Sequence, residues 1–311
     1  MERIAVTGAT GMIGAALVRE ALLKGTEVYA LVRKDTPKLA RLPREADGLH
    51  LVTFDLTDAK SIETLPEKLP PCDVFYHLAW GHTGSARNAS VFLQAENVDT
   101  CLAVLDAAAN AGCRAFVGAG SQAEYGPKDL PVISPDTKTD PATPYGAAKL
   151  AACHLSRMLA KEKGIRWVWP RIFSVYGIYD KPSSMVASSL EKMLHGEPTH
   201  FSPARHRWDY LFSEDAGRAY YAIGERGRDG SIYCVGSGES RPLIEFLREM
   251  AAAAGVPLSG VGDIPYKDGQ QPRNLAADIT SLTADTGFVP EVSFAEGIRR
   301  TAEYKNSLID K

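Results

Sequence analysis

Residues 7–14 read TGATGMIG, three glycines spaced three residues apart. Before them stands MERIAV (1–6), an opening that ends in apolar residues with β-branching. After them MIGAALVREALLKG (12–25) repeats apolar residues at helical spacing. The glycines therefore mark a strand turning directly into a helix. Glycine tolerates positive φ and lets the backbone come close to another group. A helix that begins there offers outward N–H groups and the positive end of its dipole, which together suit an anion.

The same strand-then-helix rhythm continues downstream. Apolar runs predict strands at 26–32, 49–56, 73–79, 114–121 and 165–173. Helical periodicity predicts helices at 14–24, 91–112 and 144–164, the last with Pro144 in its first turn and Gly164 as its stop. Strands alternating with helices argue for a parallel sheet covered on both faces. From about Tyr176 the pattern changes. YGIYDKPSS (176–184) and GDIPYKDGQQPR (262–273) are turn-rich, and helices near 184–195, 214–226, 242–255 and 294–305 alternate with short strands. This predicts a smaller α+β region beside the first. Ligands of open parallel sheets sit at the carboxyl ends of the strands, so the ends of the first, fourth, fifth and sixth strands are where chemistry is expected.

The bulk properties narrow the function classes. A length of 311 residues fits two domains or one large one. Net charge is −3 with no long basic run, which argues against a nucleic-acid partner. No apolar run approaches the roughly 20 residues of a membrane span. The chain enters a strand at once, without a signal-type leader, and so reads as cytoplasmic. Cys72, Cys101, Cys113, Cys153 and Cys234 are odd in number and show no C-x-x-C spacing. They read as buried free thiols rather than a disulfide framework or a metal site.

The chemistry-bearing constellation is YGAAK, with Tyr145 and Lys149 at i and i+4 on one helix face and Ser121 at a strand end upstream. An ammonium beside a phenol favours the phenolate, which makes the tyrosine usable as a general acid or base. A serine hydroxyl can hydrogen-bond the same substrate oxygen.

The order of Gly8, Gly11 and Gly14, then HLAW (77–80), Asn97, Ser121, EYG (124–126), Tyr145 and Lys149 resembles the extended short-chain dehydrogenase/reductase family, the epimerase, dehydratase and reductase group acting on nucleotide sugars. WDYLFSEDAGRA (208–219) and the segment 271–304 are similar to its later segments. The resemblance runs almost end to end. It implies an α/β fold: a Rossmann-type doubly wound parallel sheet over 1–173, to which about 206–235 returns, and a smaller C-terminal α+β substrate-binding domain over 174–311. It also implies roles. Gly8, Thr10, Gly11, Met12, Ile13 and Gly14 would meet the cofactor pyrophosphate. Asp55 and Leu56, at the end of the third strand, would contact the adenine, and His77, Leu78 and Ala79 would line the groove. Tyr145 would be the catalytic acid/base, Ser121 its partner, and Lys149 would also hold the nicotinamide ribose. Asn97 would support a helix near the site; the alternatives are a satisfied polar residue within a helix and a direct participant. His82, Arg87, Gln122, Ser174, Arg207, Trp208 and Arg273 would face the substrate. Ser174 stands where the family pattern usually has asparagine, and Trp208 and Tyr210 either stack on a base or sugar or belong to the core. Helices 91–112 and 144–164 resemble those that pair in a homodimer.

Two residue choices refine the expectation. An acid that bonds the adenosine ribose usually stands about twenty residues after the glycines of an NAD site. Here Val32 takes that place, followed by Arg33 and Lys34. An arginine there pairs with a 2′-phosphate, which points to NADP(H) rather than NAD(H). The dehydratases of the family carry an acid pair after the serine or threonine, and here Gln122 and Ala123 stand in those positions. Glu124 comes one residue later and faces the other way. The expected reaction is NADPH-dependent reduction of a nucleotide-linked 4-keto-6-deoxyhexose. The alternative is a nucleotide-sugar 4-epimerase with tightly held NAD. A non-catalytic NADP-binding regulator fits less well, because both Tyr145 and Lys149 are present.

Overall fold

The computed structural model describes residues 1–84, 88–266 and 274–309. Strand β1 (Arg3–Thr7) leads into helix α1 (Met12–Leu23), then β2 (Glu27–Val32) and β3 (Leu49–Thr53). Two short helices, α2 (Ala59–Glu63) and α3 (Leu65–Lys68), precede β4 (Val74–His77). Helix α4 (Val91–Asn110) is followed by β5 (Ala115–Val117) and β6 (Gly120–Ser121), and α5 (Pro144–Lys163) by β7 (Arg166–Ile172) and β8 (Ser174–Tyr176). Then come α6 (Met185–Leu194), β9 (Arg207–Trp208), β10 (Tyr210–Phe212), α7 (Ser213–Arg226), β11 (Ser231–Val235) and β12 (Arg241–Pro242). Helices α8 (Leu243–Ala253), α9 (Thr280–Thr286) and α10 (Phe294–Ile309) complete the described chain.

The main sheet runs β3-β2-β1-β4-β5-β7-β11, and every pairing along it is parallel. Strand order reverses between β1 and β4, so the ends of these two strands open a crevice at the sheet's carboxyl edge. This is the parallel sheet that the alternation predicted, in the Rossmann-type form that the resemblance implied. Strand β11 lies far along the chain yet forms the outer edge of that sheet. One face is sealed by α1 and α7, with Leu17, Val18, Ala216 and Tyr220 buried against Val6, Val117 and Val168. The other is sealed by α4 and α5, with Cys101, Leu105, Ala152 and Cys153 against Phe75, Phe116 and Trp169. A separate apolar cluster joins α6, α8 and α10 to β8 and β10 around Tyr176, Phe246 and Phe294. All five cysteines are free and buried. Among the described residues no helix is long and apolar enough to cross a membrane.

Three expectations shift. The strand expected at 114–121 is broken into β5 and β6. The Trp169 ring, from β7, lies where side chains at Gly118 and Gly120 would be; a Cβ would stand 2.2 Å and 2.4 Å from it. Only β6 carries on the pairing with β7, through Ser121 opposite Ile172. The third strand stops at Thr53, so Asp55 lies in the turn beyond it, where its carboxylate accepts from Thr57 N–H and Oγ1 at 2.9 and 2.8 Å. The first helix starts at Met12, two residues before Gly14, with Gly11 as its N-cap.

Candidate active site

The glycine-rich turn divides its glycines between two tasks. Gly8 has φ +70°, and a Cβ on it would stand 2.8 Å from the Ala79 nitrogen at the end of β4. A Cβ on Gly14 would stand 2.1 Å from the Gly8 carbonyl oxygen. These two glycines let β1, α1 and β4 pack backbone to backbone. Gly11 meets only the Gly8 oxygen, at 3.1 Å, and contributes no side-chain cap to α1. Met12 and Ile13 open α1, where first-turn N–H groups have no intrahelical partner, and a side chain at Gly11 would crowd the Gly8 carbonyl beside them. That arrangement fits a dinucleotide pyrophosphate. Thr10, half-buried, presents its carbonyl to Arg41 Nη1 at 3.2 Å.

At the end of β4, Thr7 fixes the crevice wall. Its Oγ1 bonds His77 Nδ1 at 2.9 Å and accepts from Ala79 N–H at 3.3 Å. Burial, with the Lys149 ammonium nearby, lowers the His77 pKa to about 3, so its ring is neutral. The following loop is pinned from α4. Asn97 Oδ1 accepts from Gly81 N–H at 2.7 Å, and its amide donates to Leu93 and Gly81 carbonyls. Gln94 accepts from Trp80 Nε1 at 2.9 Å and donates to the His82 carbonyl. Asn97 is therefore a support for the loop that follows β4.

The three residues expected to be catalytic come from two elements, Ser121 from β6 and the Tyr145–Lys149 pair from α5. Thr143 caps α5 through Gly146 N–H, and Pro144 occupies its first turn. Gly146 lets this helix start against the turn at Ser121; a Cβ there would stand 2.4 Å from the Ala123 oxygen. That close approach sets Tyr145 beside the Ser121 turn. Lys149, one turn on, is buried and donates to the Ala119 carbonyl at 2.6 Å. Its ammonium lies 3.5 Å from the centre of the Trp80 ring, which meets Tyr145 edge-on at 6.3 Å. Ser121 Oγ accepts from Ala123 N–H at 3.2 Å, so its own proton is available to a substrate oxygen.

Beneath Ser121, Glu124 is fully buried. It accepts from Ser121 N–H at 2.8 Å, Trp169 Nε1 at 3.0 Å and Arg171 Nε at 2.7 Å. Glu124 faces away from the crevice, as expected, but because it closes a one-turn helix and pairs with Arg171, not because a strand alternates. Gln122, half-buried, opens that turn.

Beyond the ends of β2 and β3, exposed Arg33 and Lys34 line an open hollow of about 680 Å³ with Lys60 and Lys68 and with Asp35, Asp55 and Asp58. Thr57 hydrogen bonds, with a smaller contribution from Arg33, hold the Asp55 carboxyl below its usual range. Leu56, Leu78 and Ala79 are half-buried around the strand ends.

The residues expected to face the substrate are less tightly gathered. Trp208 Nε1 donates to Ser174 Oγ at 2.9 Å, joining two of the expected residues. Tyr210 packs inward against Tyr176, Phe246 and Phe294. The Arg207 guanidinium donates to the Ser240 carbonyl. His82 has φ +52° and faces Glu96 at 3.8 Å. Arg87 and Arg273 lie outside the described residues. Sequence reasoning named Trp80 within HLAW but gave it no role, and missed Gln94 and Arg41. Gln94 and Asn97, polar at i and i+3 on an otherwise apolar helix face, carried a readable signal. Arg41, in a charged loop, carried none.

The model of the NAD dependent epimerase/dehydratase family matches residues 4–236. The chain belongs to this family. It is an enzyme fold of the extended short-chain dehydrogenase/reductase type. Among curated proteins it is similar to a dTDP-glucose 4,6-dehydratase of Xanthomonas campestris pv. campestris, 27% identical over 96% of this chain and 92% of that one. It is similar too to a UDP-glucose 4-epimerase of Mycolicibacterium smegmatis, 28% identical over 97% and 98%. Among solved structures, the UDP-glucose 4-epimerase of Thermus thermophilus in complex with NAD superposes with a TM-score of 0.83, at 27% identity over 98% and 99% of the two chains. Family membership fits the glycine turn and the Tyr145–Lys149 pair at the crevice.

Proposed function

We propose that this family member is an NADP-linked reductase of a nucleotide-linked 4-keto-6-deoxyhexose. The observation that supports the reading is the hollow at the end of β2, where Val32 takes the place of the usual NAD-site acid and Arg33 and Lys34 follow; Lys60 and Lys68 line it too, beside Asp35, Asp55 and Asp58, of which Asp35, two residues beyond Arg33, is the poorer ribose candidate. Gln122 and Ala123 also argue against dehydration, since neither side chain can serve as acid or base in eliminating water.

When bound, the nicotinamide supplies hydride. The chain's own residues manage the charge that then develops on the substrate oxygen. Tyr145 donates a proton to that oxygen, and Ser121 hydrogen-bonds it. Lys149, fixed on the Ala119 carbonyl and over Trp80, holds a positive charge beside Tyr145. Asn97 and Gln94 keep the loop after β4 in place.

A second reading, 4-epimerisation with retained NAD, is favoured by the similarity to the two UDP-glucose 4-epimerases. The test is loss of reduced-nicotinamide absorbance with NADPH, and separately NADH, over a panel of nucleotide-linked 4-keto-6-deoxysugars. Stoichiometric NADPH consumption supports the reductase. Interconversion at C4 without net consumption, with NAD copurifying, supports the epimerase. Arg33→Ala should weaken NADPH relative to NADH by about tenfold or more.

We also propose a homodimer through α4 and α5, whose outer faces expose Phe92 (83%), Met158 (68%) and Leu155 (44%). Light scattering of Met158→Lys beside the unaltered chain tests it.

A further inference from the structure

Arg41, in the short turn after β2, reaches back to the glycine-rich loop through the Thr10 carbonyl. Its guanidinium carbon lies 4.7 Å from the centre of the Tyr179 ring. Arg19, on α1, lies 6.0 Å from the same ring and donates to the Arg41 carbonyl. Both arginines are half-buried, and among the described residues neither is paired with a carboxylate. Two like charges so placed repel each other, and an anion between them and the loop relieves that repulsion.

Tyr179 comes from the far side of the crevice. It has φ +72°, a left-handed conformation that strains any residue with a side chain. Tyr304 of α10 meets its ring edge-on at 5.3 Å. Two residues later, Lys181 Nζ donates to the Thr83 carbonyl at 3.1 Å, beyond β4. Residues 179–181 thus contact both the loop after β2 and the loop after β4, on either side of the crevice where strand order reverses.

We propose that Arg41 is a second cation for a phosphate of the bound dinucleotide, and that Tyr179 is the residue that positions it. This rests on the reading that a dinucleotide lies along the glycine-rich loop. Arg41 uses one N–H on Thr10 and retains others for phosphate oxygens. It does not line the hollow that holds Arg33, so the two arginines serve different places along the cofactor.

The experiment is equilibrium titration of protein fluorescence with NADPH, NADH and adenosine. It compares the unaltered protein with Arg41→Ala, Arg41→Lys, Tyr179→Ala and Tyr179→Phe, each checked for unchanged thermal unfolding. Arg41→Ala should weaken dinucleotide binding about tenfold or more and leave adenosine unaffected. Arg41→Lys should recover part of the loss. Tyr179→Ala should cost about threefold, and Tyr179→Phe nothing, because the ring and not the hydroxyl holds the guanidinium. Loss for NADPH and NADH alike assigns the contact to the diphosphate; loss for NADPH alone assigns it to the 2′-phosphate. Arg41→Ala binding both dinucleotides like the unaltered protein overturns the proposal. If the unaltered protein binds neither, the cofactor reading beneath it has failed instead.

Discussion

The two sides of the crevice are built differently. On the sheet side each functional group is held by a partner from another element: His77 by Thr7, the loop after β4 by Asn97, Lys149 by the Ala119 carbonyl, the Ser121 backbone by Glu124. On the side expected to face the substrate, the Arg207 guanidinium bonds a loop carbonyl, His206 Nδ1 is buried without a partner among the described residues, and Trp208 and Ser174 hold each other. Under the proposed function the sheet side carries proton transfer, which demands sub-ångström placement, and its groups are over-determined. Recognition tolerates looser parts, which a bound substrate can complete.

The largest effect should come from the over-determined side. Tyr145→Phe should lower turnover by about 10²–10⁴-fold while dinucleotide binding persists, read by steady-state rates beside a binding titration. Retained turnover would remove Tyr145 from the chemistry. Asn97→Ala, which frees the Gly81 N–H and carbonyl, should cost about 1–3 kcal/mol in denaturant unfolding and lower activity as well.

His77 gives the comparison a pH signature. Its folded pKa, about 3, lies below the unfolded value near 6.5. Between those values the unfolded chain binds a proton that the folded chain refuses, so stability falls as pH drops through that window and is full above it. Unfolding midpoints from pH 4 to pH 7 should therefore show a shallower slope for His77→Gln than for the unaltered protein. The smallest effect belongs to the substrate side. Ser174→Ala, which removes one hydrogen bond to Trp208, should change stability by about 1 kcal/mol or less and act mainly on KM. A large loss of kcat in that variant would mean that the two sides are more alike than their contacts suggest.

Much of this was legible in the chain. The alternation of apolar runs and helical periods yields the sheet, because buried parallel strands are apolar along their whole length. The glycine turn, Tyr145, Lys149 and Ser121 are local patterns and stand at the crevice. What escaped depends on distant partners. The break between β5 and β6 is made by Trp169, about fifty residues later. The two tasks of the glycines depend on Ala79 and on Gly8 itself. The Ser174–Trp208 bond joins positions 34 apart, and no period links them. Arg41 is one cation among several in its loop until folding brings Tyr179 over it.

The packing of Trp169 against Gly118 and Gly120 also constrains how this chain can change. The three positions fill one volume, so none can vary alone: a side chain at either glycine has room only if the indole becomes something smaller. A smaller residue at 169 in turn gives up the Glu124 bond made by Trp169 Nε1 beneath Ser121. A library randomised at all three sites should return solutions as sets, with active single substitutions rare. Position 169, well inside the sheet, would then constrain variation at the active-site turn more strongly than many residues that line the crevice.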